Sequence, residues 1–189
     1  MKLSILIPTL QSRTDKLESL LIELYAQIGN HKIEVLWLGD FKRLSVGEKR
    51  NKLLDIASGE YITFFDDDDW PSEDYIERIL FVIENKRPDV IAFHVQRYQN
   101  GKVHKLMKYD GVTHRPRLAT HGTHYKLCCN HLCVWRKSII KVRFPNKSLG
   151  EDHDWAMDMM AHYNTYHQID KVLYHYRYDS KTSETHKRR

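Results

Sequence analysis

The sequence has few cysteines and no long apolar run, and both absences narrow the class of protein. Only three of its 189 residues are cysteine. So few thiols make a poor disulfide framework, which favours a reducing compartment. No stretch approaches the roughly 18 apolar residues of a membrane span, and the N-terminal apolar run is too short for a signal peptide. We therefore expect a cytoplasmic protein.

The chain also lacks internal repeats and linkers, so we expect one domain over 1–189. This length is enough to bury a sizeable core. The charge is mildly basic, with 30 Lys and Arg against 25 Asp and Glu. Such a balance favours polyanionic partners such as nucleotides, nucleic acid or an anionic surface.

Apolar periodicity predicts alternating strands and helices in the first half. Strands are predicted at 3–7, 33–38, 61–65 and 90–93, with amphipathic helices between them. This alternation predicts an α/β fold with a mostly parallel central sheet and helices on both faces. Ligands bind beyond the carboxyl ends of such strands. Thr9, Asp40 and the aspartates at 66–69 all fall at such ends.

The second half is less regular. Asn100 and Gly101 predict a hairpin turn, and the polar stretch 109–126 is interpreted as a loop. A strand is predicted at 132–135, a helix from Gly150, and a last strand at 172–176.

Four consecutive carboxylates, Asp66 to Asp69, follow the apolar strand at 61–65. Neighbouring like charges raise one another's pKa or require a cation. Mg²⁺ and Mn²⁺ prefer carboxylate oxygens and complete their shells with substrate phosphates. The segment therefore indicates a metal site for a phosphate-bearing substrate, and the alternative is a solvated acidic turn.

Four segments, in this order along the chain, resemble the motifs of family 2 glycosyltransferases with the GT-A fold. SILIPT at 4–9 resembles the opening strand and nucleotide loop. EKRN at 48–51, followed by ASGEYI at 57–62, resembles the basic helix and third strand. FDDDD at 65–69 resembles the DXD segment, and GEDHDW at 150–155 resembles the acidic motif that supplies the catalytic base.

This resemblance implies a nucleotide-diphosphate-sugar donor, most simply a UDP-sugar, and a Mn²⁺ or Mg²⁺ ion. Asp68 is expected to contact the metal, with Asp66 contacting the metal or the ribose and Asp69 left open. Asp67 is predicted to point away from its neighbours because the side chains of an extended segment alternate. The expected donor-binding residues are Thr9, Asp40, Arg50, Asp66 and Asp67.

Each of these assignments has a plainer alternative. Thr9 could be a capping hydroxyl and Arg50 a solvated helix arginine. The family usually carries two aspartates after its second strand, whereas this chain has Gly39 and Asp40.

The acidic motif at 150–155 implies an inverting transfer. Asp152 is the first candidate for the general base and Glu151 the second. One base opposite the leaving group implies a single displacement. The alternative is that both acids only favour a helix N-terminus.

Histidines and cysteines suggest two further metal hypotheses. A late histidine, His175 or His186, could complete the shell of the donor-site metal, and the alternative is a core or surface histidine. Six residues have the ligand chemistry of zinc but not its usual spacing: His121, His124, Cys128, Cys129, His131 and Cys133. Buried thiols and loop histidines are the other interpretation.

The resemblance divides the chain into a nucleotide-sugar-binding half at 1–94, an acceptor and catalytic-base half at 95–180, and a tail at 181–189. The basic, aromatic stretches of the second half suggest an acceptor on nucleic acid, such as a hydroxymethylated base in DNA, in place of a saccharide. The alternative function is a nucleic-acid-binding module without catalysis.

Overall fold

The computed structural model describes residues 1–110, 118–121 and 124–179. In chain order the described elements are β1 (Leu3–Leu10), α1 (Thr14–Ile28), β2 (Ile33–Asp40), α2 (Val46–Ile56), β3 (Tyr61–Phe64), β4 (Trp70–Pro71), α3 (Tyr75–Asn85), β5 (Val90–Gln99), β6 (Lys102–Asp110), β7 (Leu118–His121), β8 (His124–Cys128), β9 (Val134–Arg136), α4 (Glu151–Met159) and β10 (Tyr166–Tyr178).

The strands form one mixed sheet that combines parallel and antiparallel pairs. β1 lies between β2 and β3 and is parallel to both, and β10 runs parallel to β5. The short β9 joins β3 to β5 by antiparallel pairing. The register places Leu10 opposite Asp40 and Leu6 opposite Phe64, so the first three strands end at one edge. The prediction of an α/β fold with a mostly parallel centre is confirmed.

Burial explains why β1 and β3 are so apolar. Residues 3–7 of β1 and all four residues of β3 are buried, as strands covered on both faces must be. Helix α1 buries Leu17, Leu20 and Leu24, a helical spacing that places one apolar face against its neighbours. Among the described residues, no helix is both long and apolar enough to cross a membrane.

Helix α2 is tied to the segment that leads into α4, and this connection shapes the site. A capping box between Ser45 and Glu48 starts α2, satisfying two backbone donors. The Gly47 N–H donates to the Lys147 carbonyl at 3.1 Å. A Cβ at Gly47 would lie 2.0 Å from the Pro145 carbonyl oxygen, so only glycine allows this approach.

The prediction of a structureless loop at 109–126 is wrong for the part that the structure describes. Strand β6 extends to Asp110, β8 pairs parallel to β6, and β7 pairs with β8. Because these strands are specified by pairing with distant segments, local periodicity does not reveal them. Residues 111–117 and 122–123 lie outside the described part of the chain, as do His186 and the predicted tail.

Candidate functional site

One cavity opens at the carboxyl ends of β1, β2 and β3, where the sequence predicts ligand binding. It is walled on one side by the end of β3 and on the other by the start of α4. The residues that line it are Pro8, Thr9, Leu10, Arg13, Lys42, Leu44, Val46, Lys49, Arg50, Asp66, Asp67, Asp68, Ser148, Leu149, Glu151, Tyr176 and Arg177.

The aspartate run alternates between buried and partly exposed side chains. The side chains of Asp66 and Asp68 are 34% and 22% exposed, whereas that of Asp67 is 1% exposed. The Thr9 hydroxyl donates to Asp67 Oδ2 at 2.5 Å, and Arg13 pairs with Asp67 Oδ1 at 3.0 Å. Asp67 therefore points into the protein, where it ties the end of β3 to the end of β1.

Asp69 is also buried. The Tyr174 hydroxyl donates to its Oδ2 at 2.6 Å, and the backbone N–H of Arg177 donates to its Oδ1 at 2.7 Å. Burial, together with the charges of Asp66 and Asp68, raises the pKa of Asp69 well above its usual range. These bonds fix the aspartate run against β10.

Burial also raises the pKa values of two other aspartates in the run. Desolvation raises the pKa of Asp67 to about 6, opposed by the charge of Arg13 and the Thr9 hydrogen bond. The pKa of Asp66 is raised by burial and lowered in part by Arg50. The electrostatic cost predicted for this segment is thus met partly by cation pairing and partly by a tendency to hold protons.

Arg50 links the two acidic motifs. Its side chain is 3% exposed, and its two terminal nitrogens donate to different carboxylates: Nη1 to Glu151 Oε1 at 2.7 Å and Nη2 to Asp66 Oδ1 at 3.1 Å. Its guanidinium also lies over the rings of Phe64 and Phe144, at 5.7 and 5.4 Å. The alternative of a solvated helix arginine is therefore wrong.

Asp40 is held at the end of β2. The backbone N–H groups of Arg43 and Leu44 donate to its Oδ2 at 2.6 and 2.7 Å, and Lys49 pairs with its Oδ1. Partial burial acts to raise the pKa of Asp40, but the hydrogen bonds from Lys49 and Leu44 outweigh it and lower the pKa. Lys49 also donates to the Thr9 carbonyl at 2.6 Å, so it joins the ends of β1 and β2.

Glu151 and Asp152 begin α4 but have different surroundings. The Glu151 side chain is 7% exposed and bound to Arg50, and burial raises its pKa. The Asp152 side chain is 40% exposed, and its Oδ2 lies 3.8 Å from His131 Nδ1. Burial raises the pKa of Asp152, but the influence of His131 and Arg50 outweighs it and lowers the pKa. Asp152 is therefore an ionised carboxylate at neutral pH.

The chemistry of Asp66 and Asp68 fits a divalent cation, but their present partners are basic side chains. Arg13 and Lys16 both pair with Asp68 Oδ2. Within the described part of the chain, no three His, Cys, Asp or Glu side chains converge as metal ligands. Two carboxylates suffice for an ion that takes its other ligands from phosphates and water.

His175 is not brought together with these aspartates. Its ring stacks on Trp70, with centroids 5.2 Å apart and planes 8° apart. Its Nδ1 lies 3.3 Å from the Tyr98 hydroxyl. The ligand set of Asp66, Asp68 and His175 is therefore not assembled in this structure.

The predicted zinc residues are only partly described. Cys129 and Cys133 are buried in the core, and His131 Nδ1 lies 3.8 Å from Asp152 Oδ2. The side chains of His121, His124 and Cys128 lie outside the described part of the chain.

Sequence interpretation did not assign three residues of the candidate site to it: Arg13, Lys49 and His131, the last of which was considered only as a zinc ligand. Arg13 had a usable signal, because it follows the end of β1 closely and any cation there faces the aspartates. Lys49 lies beside Arg50 in the basic helix motif but was not singled out. His131 had no such signal, since only the fold brings it to Asp152.

Known structures share the fold of this chain. The crystal structure of S. aureus TarS 1-349 in complex with UDP superposes with a TM-score of 0.73 at 18% sequence identity, covering 96% of this chain and 62% of that chain. The same TarS segment in complex with UDP-GlcNAc gives a TM-score of 0.66 at 18% identity, covering 94% and 59%. This chain therefore spans less than two thirds of those chains. Comparison with curated proteins gives no match.

The fold and the strand-end cavity define a GT-A-type protein, as predicted. Residues 6–144, well over half of the chain, match Glycosyl transferase family 2. The chain therefore belongs to this family, and the predicted glycosyltransferase class is confirmed. The matched range ends before Glu151 and Asp152, so the roles of these two residues stay a prediction.

Proposed function

We propose that this chain transfers a sugar from a UDP-sugar to an acceptor hydroxyl, with the donor bound in the strand-end cavity. The observation that carries the proposal is that, in a chain of this family, one cavity is lined both by the β3 aspartates and by Glu151. Arg50 connects the two walls. The UDP and UDP-GlcNAc complexes of TarS support the choice of nucleotide.

Asp68 and Asp66 are the proposed ligands for Mn²⁺ or Mg²⁺. Such an ion, when bound, would act as a Lewis acid that neutralises the diphosphate and stabilises the leaving group. Arg13 and Lys16 neutralise Asp68 in the free protein. Once Asp68 has another partner, both cations are free to bind phosphate oxygens, for which the arginine fork is well suited.

The remaining donor-site residues shape the pocket for the nucleotide. Thr9 and Arg50 line it directly, and Asp67 fixes Thr9 through its hydrogen bond. Asp40 acts through Lys49, which it holds against the end of β1.

Asp152 is the proposed general base, and the partners of Glu151 support this choice. Glu151 is held by Arg50, whereas Asp152 is partly exposed and ionised. As the acceptor oxygen attacks C1, its proton passes to Asp152 and the bond from C1 to the UDP oxygen breaks. One base opposite the leaving group makes the reaction a single displacement with inversion. A positioned base contributes about 10²–10⁴-fold to such a step.

The acceptor is proposed to be a modified base in nucleic acid, with a saccharide as the alternative. The chain is basic overall, and Lys102 and His104 are exposed on β6. Binding to hydroxymethylated DNA should weaken steeply with salt. DNA-independent transfer to a saccharide would instead support the alternative. The non-catalytic nucleic-acid module rested on the basic charge balance, on aromatic residues and on the basic stretches at 102–108 and 115–117, of which 115–117 lies outside the described part of the chain.

Calorimetry with UDP, GDP, CDP and dTDP, each with and without Mn²⁺, tests the donor assignment. We expect UDP to bind more tightly than the other three nucleotides. Its affinity should be highest when Mn²⁺ is present. The exposed Asp170→Asn variant provides a matched control and should behave as the wild type. If no nucleotide binds in a metal-dependent way, the donor site is assigned wrongly.

A further inference from the structure

We propose that His131 is a positioning residue that donates a hydrogen bond to Asp152 and orients its carboxylate toward the acceptor hydroxyl. This inference rests on the proposed role of Asp152 as the base and deepens it. His131 precedes β9 and belongs to neither of the acidic motifs. It reaches the site only through the fold.

The segment that carries His131 is held rigidly. The His131 carbonyl accepts from the Phe64 N–H at 3.3 Å, which attaches the segment to the end of β3. The neighbouring Asn130 accepts at its carbonyl from Trp135 Nε1 at 2.7 Å and at its Oδ1 from the Leu132 N–H at 3.0 Å. The backbone of His131 is therefore fixed, and its ring has a defined direction.

The ring itself has unused hydrogen-bonding capacity. The His131 side chain is 5% exposed, and neither of its nitrogens has a hydrogen-bond partner. Buried polar groups are nearly always paired. The Oδ2 atom of Asp152 lies 3.8 Å from Nδ1. Because Asp152 is partly exposed, a rotation of its side chain can shorten this separation to a hydrogen bond of about 2.9 Å.

His131 is suited to donate without taking the proton itself. Burial, reinforced by the charge of Arg50, lowers the pKa of His131 to about 3. At neutral pH the ring is therefore uncharged, with one N–H donor and one lone pair. The charged groups around the pair are Arg50 from α2, Glu151 from α4 and Asp66 from the end of β3. In this setting an N–H on Nδ1 fixes one oxygen of Asp152 and leaves the other for the acceptor.

Two substitutions separate hydrogen bonding from packing. His131→Phe keeps an aromatic ring against Phe64 but removes the donor. His131→Asn can place an amide N–H where Nδ1 lies. We expect His131→Phe to lower kcat about tenfold, with KM for the donor unchanged, because the lost bond is to a charged group. The acidic limb of the kcat profile should move to higher pH, and His131→Asn should restore both properties.

His94→Phe is the matched control, since it removes another buried imidazole whose partner is the exposed Asp170 instead of a carboxylate of the acidic motifs. It should leave kcat and the pH profile unchanged. If His131→Phe retains the wild-type kcat and acidic limb, or if the control shifts them equally, the proposal is wrong.

NMR tests the pairing without turnover. In the wild type, the His131 ring should be neutral and carry its proton on Nδ1, and Asp152→Asn should shift that nitrogen. The pKa of Asp152 should be higher in His131→Phe. A proton on Nε2, or an insensitive Nδ1, would overturn the proposal even if His131→Phe fails to fold. If NMR gives the expected Nδ1 proton and its shift in Asp152→Asn, but the protein transfers no sugar, the pairing stands and the proposed function is wrong.

Discussion

The two acidic motifs of the cavity differ in sequence and secondary structure but share one arrangement. At the end of β3, Asp67 is buried and bound to Thr9 and Arg13, while its neighbour Asp68 is partly exposed. At the start of α4, Glu151 is buried and bound to Arg50, while Asp152 is partly exposed.

The comparison suggests a division of labour between adjacent carboxylates. A buried, hydrogen-bonded carboxylate is costly to move, so it serves to fix the backbone. The backbone of its exposed neighbour is thereby held in place, while the neighbour's carboxylate can still bind a ligand or a proton. We therefore expect substitutions of the buried members to change stability, and those of the exposed members to change binding or catalysis.

The largest effect should come from Asp152→Asn. Because it removes the proposed base, transfer should fall about 10²–10⁴-fold while UDP affinity measured by calorimetry stays the same. Asp154→Asn is the matched control, since Asp154 lies on the same helix and pairs with Lys147 on the surface. Retained turnover in Asp152→Asn would place the base elsewhere.

Glu151→Gln should act mainly on stability. It weakens a buried charged hydrogen bond to Arg50, which we expect to lower the free energy of unfolding by about 1–3 kcal/mol. Urea unfolding measures this loss, and the exposed Glu77→Gln provides the control. A variant that is as stable as the wild type but loses all transfer would show that Glu151, not Asp152, is the working carboxylate.

The smallest effect concerns the pH dependence of stability at Asp67. Its pKa is raised to about 6 in the folded protein by burial, so folding favours the protonated form. The stabilisation that Asp67 contributes is fully present below a pH of about 4, the pKa of this carboxyl in the unfolded chain. It is lost as the pH rises through about 6. Asp67→Asn should flatten the stability curve between these values, as measured by denaturation at several pH values. Asp74→Asn should act in the opposite direction, since hydrogen bonds from Lys171 and Arg78 outweigh burial and lower the pKa of Asp74 to about 2. An unchanged curve in Asp67→Asn would contradict the buried position of Asp67.

The first half of the fold was predictable because its signals are local. The apolar run of β1 and the helical spacing of Leu17, Leu20 and Leu24 each specify one element without reference to the rest of the chain. The apolar runs also predict where each strand ends, and therefore predict that Thr9 and the aspartate run lie at strand ends.

The second half and the partners within the site were not predictable in this way. Strand β8 depends on pairing with β6, and β7 depends on pairing with β8, which polar local sequence does not specify. Likewise, Arg50 lies 101 residues from Glu151 along the chain. The sequence identified which residues carry charge, but only the tertiary structure shows which charges neutralise one another.

Calorimetry of UDP and Mn²⁺ binding to Asp68→Asn and Asp67→Asn tests the division of labour most directly. If the exposed Asp68 binds the metal and the buried Asp67 only fixes the backbone, Asp68→Asn should weaken metal-dependent UDP binding about tenfold or more. Asp67→Asn should bind UDP and metal nearly as the wild type does. Loss of metal-dependent binding in Asp67→Asn, with retention in Asp68→Asn, would contradict the account.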